Sequence, residues 1–172
     1  DAYTAEVLGT ERSGNGVVIR PDGLVLTVCY LAMEASEVWM TLADGRSVAG
    51  DVLAFDQALG FALIQALERL DLPALALGSS AAATPGTAAL AAGFGGARHS
   101  LAARVIARQE FAGYWEYLID DAIFTAPAHP FWGGTGLIAP DGRLIGIGSL
   151  QLEQAGSEGE TVPINMYIPT DL

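Results

Sequence analysis

Three times in this chain an Asp-Gly pair interrupts two short apolar runs. Pro21-Asp22-Gly23 separates "GVVIR" from "GLVLTV", Asp44-Gly45 separates "EVWMTL" from "RSVAGDVLAF", and Pro140-Asp141-Gly142 separates "GLIA" from "RLIGIGSL". Asp-Gly between apolar runs is a hairpin signal, because glycine accepts the backbone twist of a tight turn and aspartate bonds its own backbone. Hairpins at this spacing predict antiparallel sheets closing into a barrel or sandwich. Nowhere does a strand alternate with a long helix, so a parallel sheet is not expected. Val38, Met40 and Leu42 fall on one face of a strand by period-two alternation. "FALIQAL" and "LPALALG" supply further strand candidates, and "TAALAAG" is read as strand in spite of its helical composition. "GLVLTVCYLAME" reads as a buried strand that breaks into a short helical turn at Tyr30.

With 172 residues, 51% of them hydrophobic and 16% charged, the chain has the composition of a compact globular protein. Gly78 to Thr87, "GSSAAATPGT", reads as a linker between two β units, and Leu152 to Glu160, "LEQAGSEGE", as an acidic flexible loop. The net charge of −12 makes nucleic acid and anionic membrane surfaces poor partners. No stretch reaches the roughly 18 apolar residues of a membrane span. Cys29 is the only cysteine, so no intrachain disulfide can form. The start at Asp1, without a leader, reads as a mature or trimmed chain.

"SGNGVVIRPDGLVLTVCYL" resembles the opening of the trypsin-like domain of HtrA/Deg serine proteases, a Gly-rich strand and a DG turn followed by "ILTNxHV". "VWMTLADGRSVAGDVLAFDQALGFALIQ", "LIAPDGRLIGIGSL" and "NMYIPTDL" are similar to later landmarks of that family, in the same order. The resemblance implies an all-β fold of two antiparallel six-stranded barrels with a cleft between them, Asp1–Ser80 and Ala81–Leu172. It also implies an exported, periplasmic setting and no cofactor.

Family activity rests on a Ser-His-Asp triad in which hydroxyl attacks, imidazole takes the proton and carboxylate orients the imidazole. The position matching the imidazole is Tyr30, a phenol with a reference pKa near 10 and a poor base at neutral pH. The position matching the carboxylate is Gly60, and counting back from Asp141 puts the nucleophile position at Gly133. The expectation is therefore an inactive homologue, with no catalytic residue and no metal. Thr135 lies two residues out of register for a nucleophile, and Cys29 reads as a small buried hydrophobe. His99 and His129 are the only imidazoles. His129 is placed at the cleft rim and solvated, and with Asp120 and Asp121 the pair matches no metal motif.

Two further readings stay open: a serine endopeptidase, as the resemblance alone implies, and a degenerate relative that binds metal. For a binding module, active relatives suggest strand addition along the edge after the nucleophile loop, here Ile147, Gly148, Ser149 and Leu150. Phe131 and Trp132 are the aromatic anchors of that cleft, and Gly133 and Gly134 would keep amides pointing into it. Glycine at position 148 would let a partner's backbone approach closely.

Overall fold

A computed structural model describes residues 5–113, 118–156 and 159–171. Its elements run α1 (Ala5–Leu8), β1 (Val17–Val18), β2 (Leu24–Val28), α2 (Cys29–Ala32), β3 (Val38–Thr41), β4 (Ser47–Asp56), β5 (Phe61–Ala66), β6 (Ala88–Ala92), β7 (Ser100–Ala112), β8 (Leu118–Ala126), β9 (Gly136–Ile138), β10 (Leu144–Ala155) and β11 (Thr161–Pro169). Among the described residues every strand pairing is antiparallel apart from one isolated parallel bridge, Leu77 to Leu144.

The three Asp-Gly pairs sit where the hairpin reading put them. Gly23, Gly45 and Gly142 have φ of +86°, +88° and +84°, a region costly for side chains with a Cβ. Each glycine amide closes a four-residue turn, onto Arg20, Leu42 and Ala139 respectively. Asp44 and Asp141 accept the amides of Arg46 and Arg143 at 3.0 Å, which fixes the turns from within.

The second unit is a closed six-stranded barrel in the order β10-β11-β8-β7-β6-β9. The first differs from the expected second barrel: it is an open five-stranded sheet, β1-β2-β5-β4-β3. The chain from Leu67 to Ala76 forms no strand that could close it. "LPALALG" forms no strand: it makes the bridge at Leu77, and Leu75 donates to Val18 O at 2.8 Å, while "TAALAAG" is strand β6, as read.

The two units share a core. Leu26, Val28, Cys29 and Met33 pack in one cluster with Phe124, Leu144, Ile147 and Met166. Val25, Val48, Ala62 and Ile64 fill the other side of the first sheet. Burying apolar surface at about 25 cal/mol per Å² makes this shared layer, and not any single bond, the main tie between the units.

The Gly78–Thr87 segment is no free linker. Gly78 donates to Leu144 O at 2.8 Å, Ser79 Oγ donates to Asp171 at 2.7 Å, and the Ser80 hydroxyl also donates to Asp171. Ser80 O accepts Arg108 Nη1 at 2.5 Å, and Arg108 pairs in turn with Asp121. The Leu152–Glu160 loop is likewise shorter than expected, because β10 continues to Ala155 and pairs with β11 down to Thr161. Ser157 and Glu158 lie outside the described residues.

Partial burial alone would raise the Asp171 carboxyl pKa, but the bonds from Ser80 and Ser79 outweigh it and hold it below the usual carboxylate value. A depressed folded pKa gives stability that is present above the unfolded value, near 3.9, and is lost as pH falls through the folded one. Asp171→Asn is therefore expected to lose on the order of 1 kcal/mol at neutral pH, a figure kept low because the group is partly solvated. Its stability should fall less steeply than the parent's below about pH 4. Urea denaturation at pH 7 and pH 3 checks both.

Candidate functional site

Four chain segments converge on one place: helix α2, the β4–β5 turn, the loop from Pro127 to Thr135, and strand β10. Tyr30 stands on α2, which is locked at both ends. The Cys29 amide donates to Gly60 O at 2.8 Å, and Arg12 Nη1 donates to the carbonyls of Tyr30 and Met33 at 2.7 and 2.8 Å. Gly60 is buried with φ of +84°, and its own amide returns to Asp56 O at 2.8 Å. The Asp56 carboxylate accepts the amides of Ala58 and Leu59, so it caps its own turn.

From α2 the half-buried Tyr30 side chain crosses to the second unit, where its hydroxyl donates to Ser149 O at 2.7 Å. A Cβ built on Gly133 would lie 3.0 Å from that hydroxyl. Tyr30 and Gly133 are thus neighbours in space, and Gly60 bonds to Cys29, the residue before Tyr30.

Loop Pro127–Thr135 lies directly on β10. Gly134 donates to Gly148 O at 2.8 Å and Gly148 donates to Thr135 O at 2.7 Å. A Cβ on Gly148 would come within 2.1 Å of Trp132 O, and one on Gly134 within 1.8 Å of Asn15 O. The close backbone approach expected at Gly148 is real, but the approaching backbone is the chain's own.

This changes the expected binding edge. Ile147 pairs with Gly136 on one side and Ile168 on the other, and is fully buried. Gly148 has spent both its amide and its carbonyl, and Ser149 is buried with its carbonyl holding Tyr30. Ile147, Gly148 and Ser149 therefore offer no open edge, and only Leu150, half-buried, lies beyond the closure. The Gly134 amide does not point into the cleft, being bonded to Gly148. The Gly133 amide has no acceptor among the described residues. Trp132 is half-buried, whereas Phe131 is 67% exposed.

His129 corrects its expected place at a solvated rim. It is 2% exposed, its Nε2 faces His99 O at 2.7 Å, and its Nδ1 accepts the Phe131 amide at 3.1 Å. Those partners require a proton on Nε2 and a lone pair on Nδ1. His99 is exposed and stacks on Phe94. Asp121 pairs with Arg108, and among the described residues no three His, Cys, Asp or Glu gather as metal ligands. Thr135 is fully buried, its hydroxyl donating to Phe131 O. Cys29 is buried in the shared core.

Asn15 is the residue that sequence reasoning passed over. Its Nδ2 donates to Phe131 O, Gly133 O and Thr135 Oγ1 at 2.9, 3.2 and 3.1 Å, and its Oδ1 accepts the Phe94 amide at 2.8 Å. Its backbone amide reaches Gly133 O at 2.7 Å, and its carbonyl accepts Thr27 Oγ1 at 2.7 Å. An Asn between two small glycine-flanked steps, "SGNGV", was the available signal.

Comparison with known proteins identifies the family. The model for the trypsin-like peptidase domain matches residues 14–147. Serine protease HTRA1 of Xenopus laevis is 25% identical over 170 residues, covering 92% of this chain and 34% of that protein. The putative serine protease HhoB of Synechocystis is 34% identical over 83 residues, 48% of this chain and 20% of that one. Among solved structures, the HtrA-type protease AlgW with a decapeptide superposes with a TM-score of 0.74 at 26% identity, covering 92% of this chain and 48% of that one. The apo MamO protease domain of Magnetospirillum magneticum shares the fold, with a TM-score of 0.66 over 92% of this chain and 84% of that one, at 18% identity. The chain thus spans about a third of the full-length HTRA1 relative and about half of the AlgW chain. The match covers most of the chain, and the chain belongs to the trypsin-like peptidase domain family, with HtrA proteases among its relatives.

Proposed function

We propose that this domain is a peptidase-fold module that does not hydrolyse peptide bonds and instead binds a peptide or protein partner. The observation that carries the reading is the Tyr30 hydroxyl, bonded to Ser149 O and 3.0 Å from where a Gly133 side chain would begin. A phenol there fills the space between the imidazole and nucleophile positions, and neither Gly60 nor Gly133 supplies a functional group.

Magnitude supports the same conclusion. Loss of key triad members costs about a million-fold in turnover. What survives in such enzymes, about a thousand- to ten-thousand-fold over water, needs the oxyanion donors and substrate binding. In the triad template those donors are the amides of the nucleophile residue and of the residue two before it. The latter corresponds to Phe131, whose amide is spent on His129. Only the Gly133 amide is left.

The binding half of the reading draws on solved relatives such as AlgW, seen with a decapeptide and with a tripeptide. An exported setting follows by family analogy, and the acidic surface speaks against nucleic acid as partner. The names of the relatives favour the competing reading, a serine endopeptidase. A fluorophosphonate probe separates the two. We expect no stoichiometric labelling, and no casein turnover above buffer at high protein concentration. Labelling of one residue, with turnover lost on its substitution, would establish the endopeptidase instead.

The Tyr30 contact gives a second expectation. Tyr30→Phe keeps the ring and removes the bond to Ser149 O, so it should cost on the order of 1–2 kcal/mol in urea unfolding without producing activity. A neutral effect on stability would mean that the hydroxyl bond is not what holds the ring across the cleft.

A further inference from the structure

We infer that the hollow beside Phe131, away from the Tyr30 contact, docks an acidic peptide segment through one large apolar side chain. This rests on the reading of the domain as a binding module and gives that module a site and a partner chemistry. The hollow has a volume of about 180 Å³ and is lined by His99, Ser100, Leu101, His129, Pro130 and Phe131. Its walls are apolar because the polar atoms around it satisfy one another: His129 Nε2 bonds His99 O, and His129 Nδ1 takes the Phe131 amide.

Two aromatic rings stand exposed about it, Phe131 at 67% and Phe94 at 49%. Phe131 meets the His129 ring edge-on with centroids 6.3 Å apart, and Phe94 stacks on His99 at the same separation. The backbones that carry them are tied together, since the Asn15 side chain donates to Phe131 O and accepts the Phe94 amide. A rim fixed in this way pays little ordering entropy on binding. Exposed aromatics about an apolar hollow are the side chains that dominate binding energy.

Charge decides which peptide. The chain has 20 acidic residues, yet none falls between Asp71 and Glu110 or between Asp121 and Asp141. Both segments that line the hollow, 99–101 and 129–131, lie inside those intervals. Every cation in the chain is an arginine, His aside. Arg98, next to His99, is the one arginine among the described residues whose guanidinium meets neither a carboxylate nor a carbonyl. On a protein of net charge −12 this is where a carboxylate finds an unspent cation, while most of the surface repels it.

Fluorescence anisotropy with labelled pentapeptides tests the site, comparing Asp-Glu-Phe-Glu-Asp with Lys-Arg-Phe-Arg-Lys and with Asp-Glu-Ala-Glu-Asp. We expect the acidic phenylalanine peptide to bind tightest, and more weakly as salt rises. Phe131→Ala and Arg98→Glu should each weaken it about tenfold, the size of a single anchor contact. Both side chains are exposed, so the far-UV circular dichroism of the variants should match the parent. Equal or tighter binding of the basic peptide overturns the inference, as does indifference to the Phe→Ala change in the peptide. If the acidic peptide binds but ignores both protein substitutions, this site falls while the binding module stands. If no peptide binds, the site falls and the module loses its peptide partner; labelling by the fluorophosphonate probe would independently remove the module reading.

Discussion

Everything at the cleft depends on the contact of the Pro127–Thr135 loop with strand β10. Two backbone bonds, Gly134 N to Gly148 O and Gly148 N to Thr135 O, hold loop and strand together. The approach is so close that a Cβ on Gly148 would overlap Trp132 O, and one on Gly134, whose φ is +76°, would overlap Asn15 O. Glycine at both positions is therefore a steric requirement. Once the loop is seated, Gly133 faces Tyr30, Phe131 turns outward and Asn15 closes the contact from the first unit.

That contact also joins the two units polar group to polar group, on top of the apolar layer they share. Asn15 and Thr27 belong to the first unit and the loop to the second, so a shift of one against the other would break several bonds at once. Buried polar networks satisfied on every side define one arrangement sharply. The Gly78–Thr87 crossing does the same at another place, through Asp171, Ser80 and Arg108. A segment of small residues reads as flexible in sequence because its composition carries no packing signal. It is fixed here by partners roughly 30 to 90 positions away along the chain.

The hairpins were legible because their chemistry is local: an aspartate, a glycine and two apolar runs within a dozen residues. Strand β2 breaking into α2 was legible for the same reason. The five-stranded opening of the first sheet was not, since closure depends on whether Leu67 to Ala76 takes up strand geometry, and no local pattern decides that. The end of β10 was partly legible. Leu150 and Leu152 keep the alternation going, but the acidic, glycine-bearing sequence after them masked it. The structure sets Tyr30 against Gly133 and bonds Gly60 to Cys29, but the spacing that singled out those positions carried no signal for the state of the cleft. Gly148 looks the same in sequence whether the backbone that comes near is a partner's or the chain's own.

Tyr30 and Gly133 make chemical sense only as a pair. The phenol reaches a carbonyl on the far side of the cleft, and the space it crosses exists because position 133 has no side chain. Any side chain at 133 would bring its Cβ to 3.0 Å from the hydroxyl, tighter than ordinary packing, so the end of the Tyr30 side chain would have to give by a few tenths of an ångström. The hydroxyl, for its part, donates to the carbonyl of buried Ser149, and a hydrogen bond of this kind contributes about 0.5–1.5 kcal/mol. The residues at 30 and 133 are therefore fitted to each other. Changing either alone would disturb the packing of the ring against position 133 or remove the hydroxyl bond to Ser149 O, so the two residues together hold this side of the contact between the units.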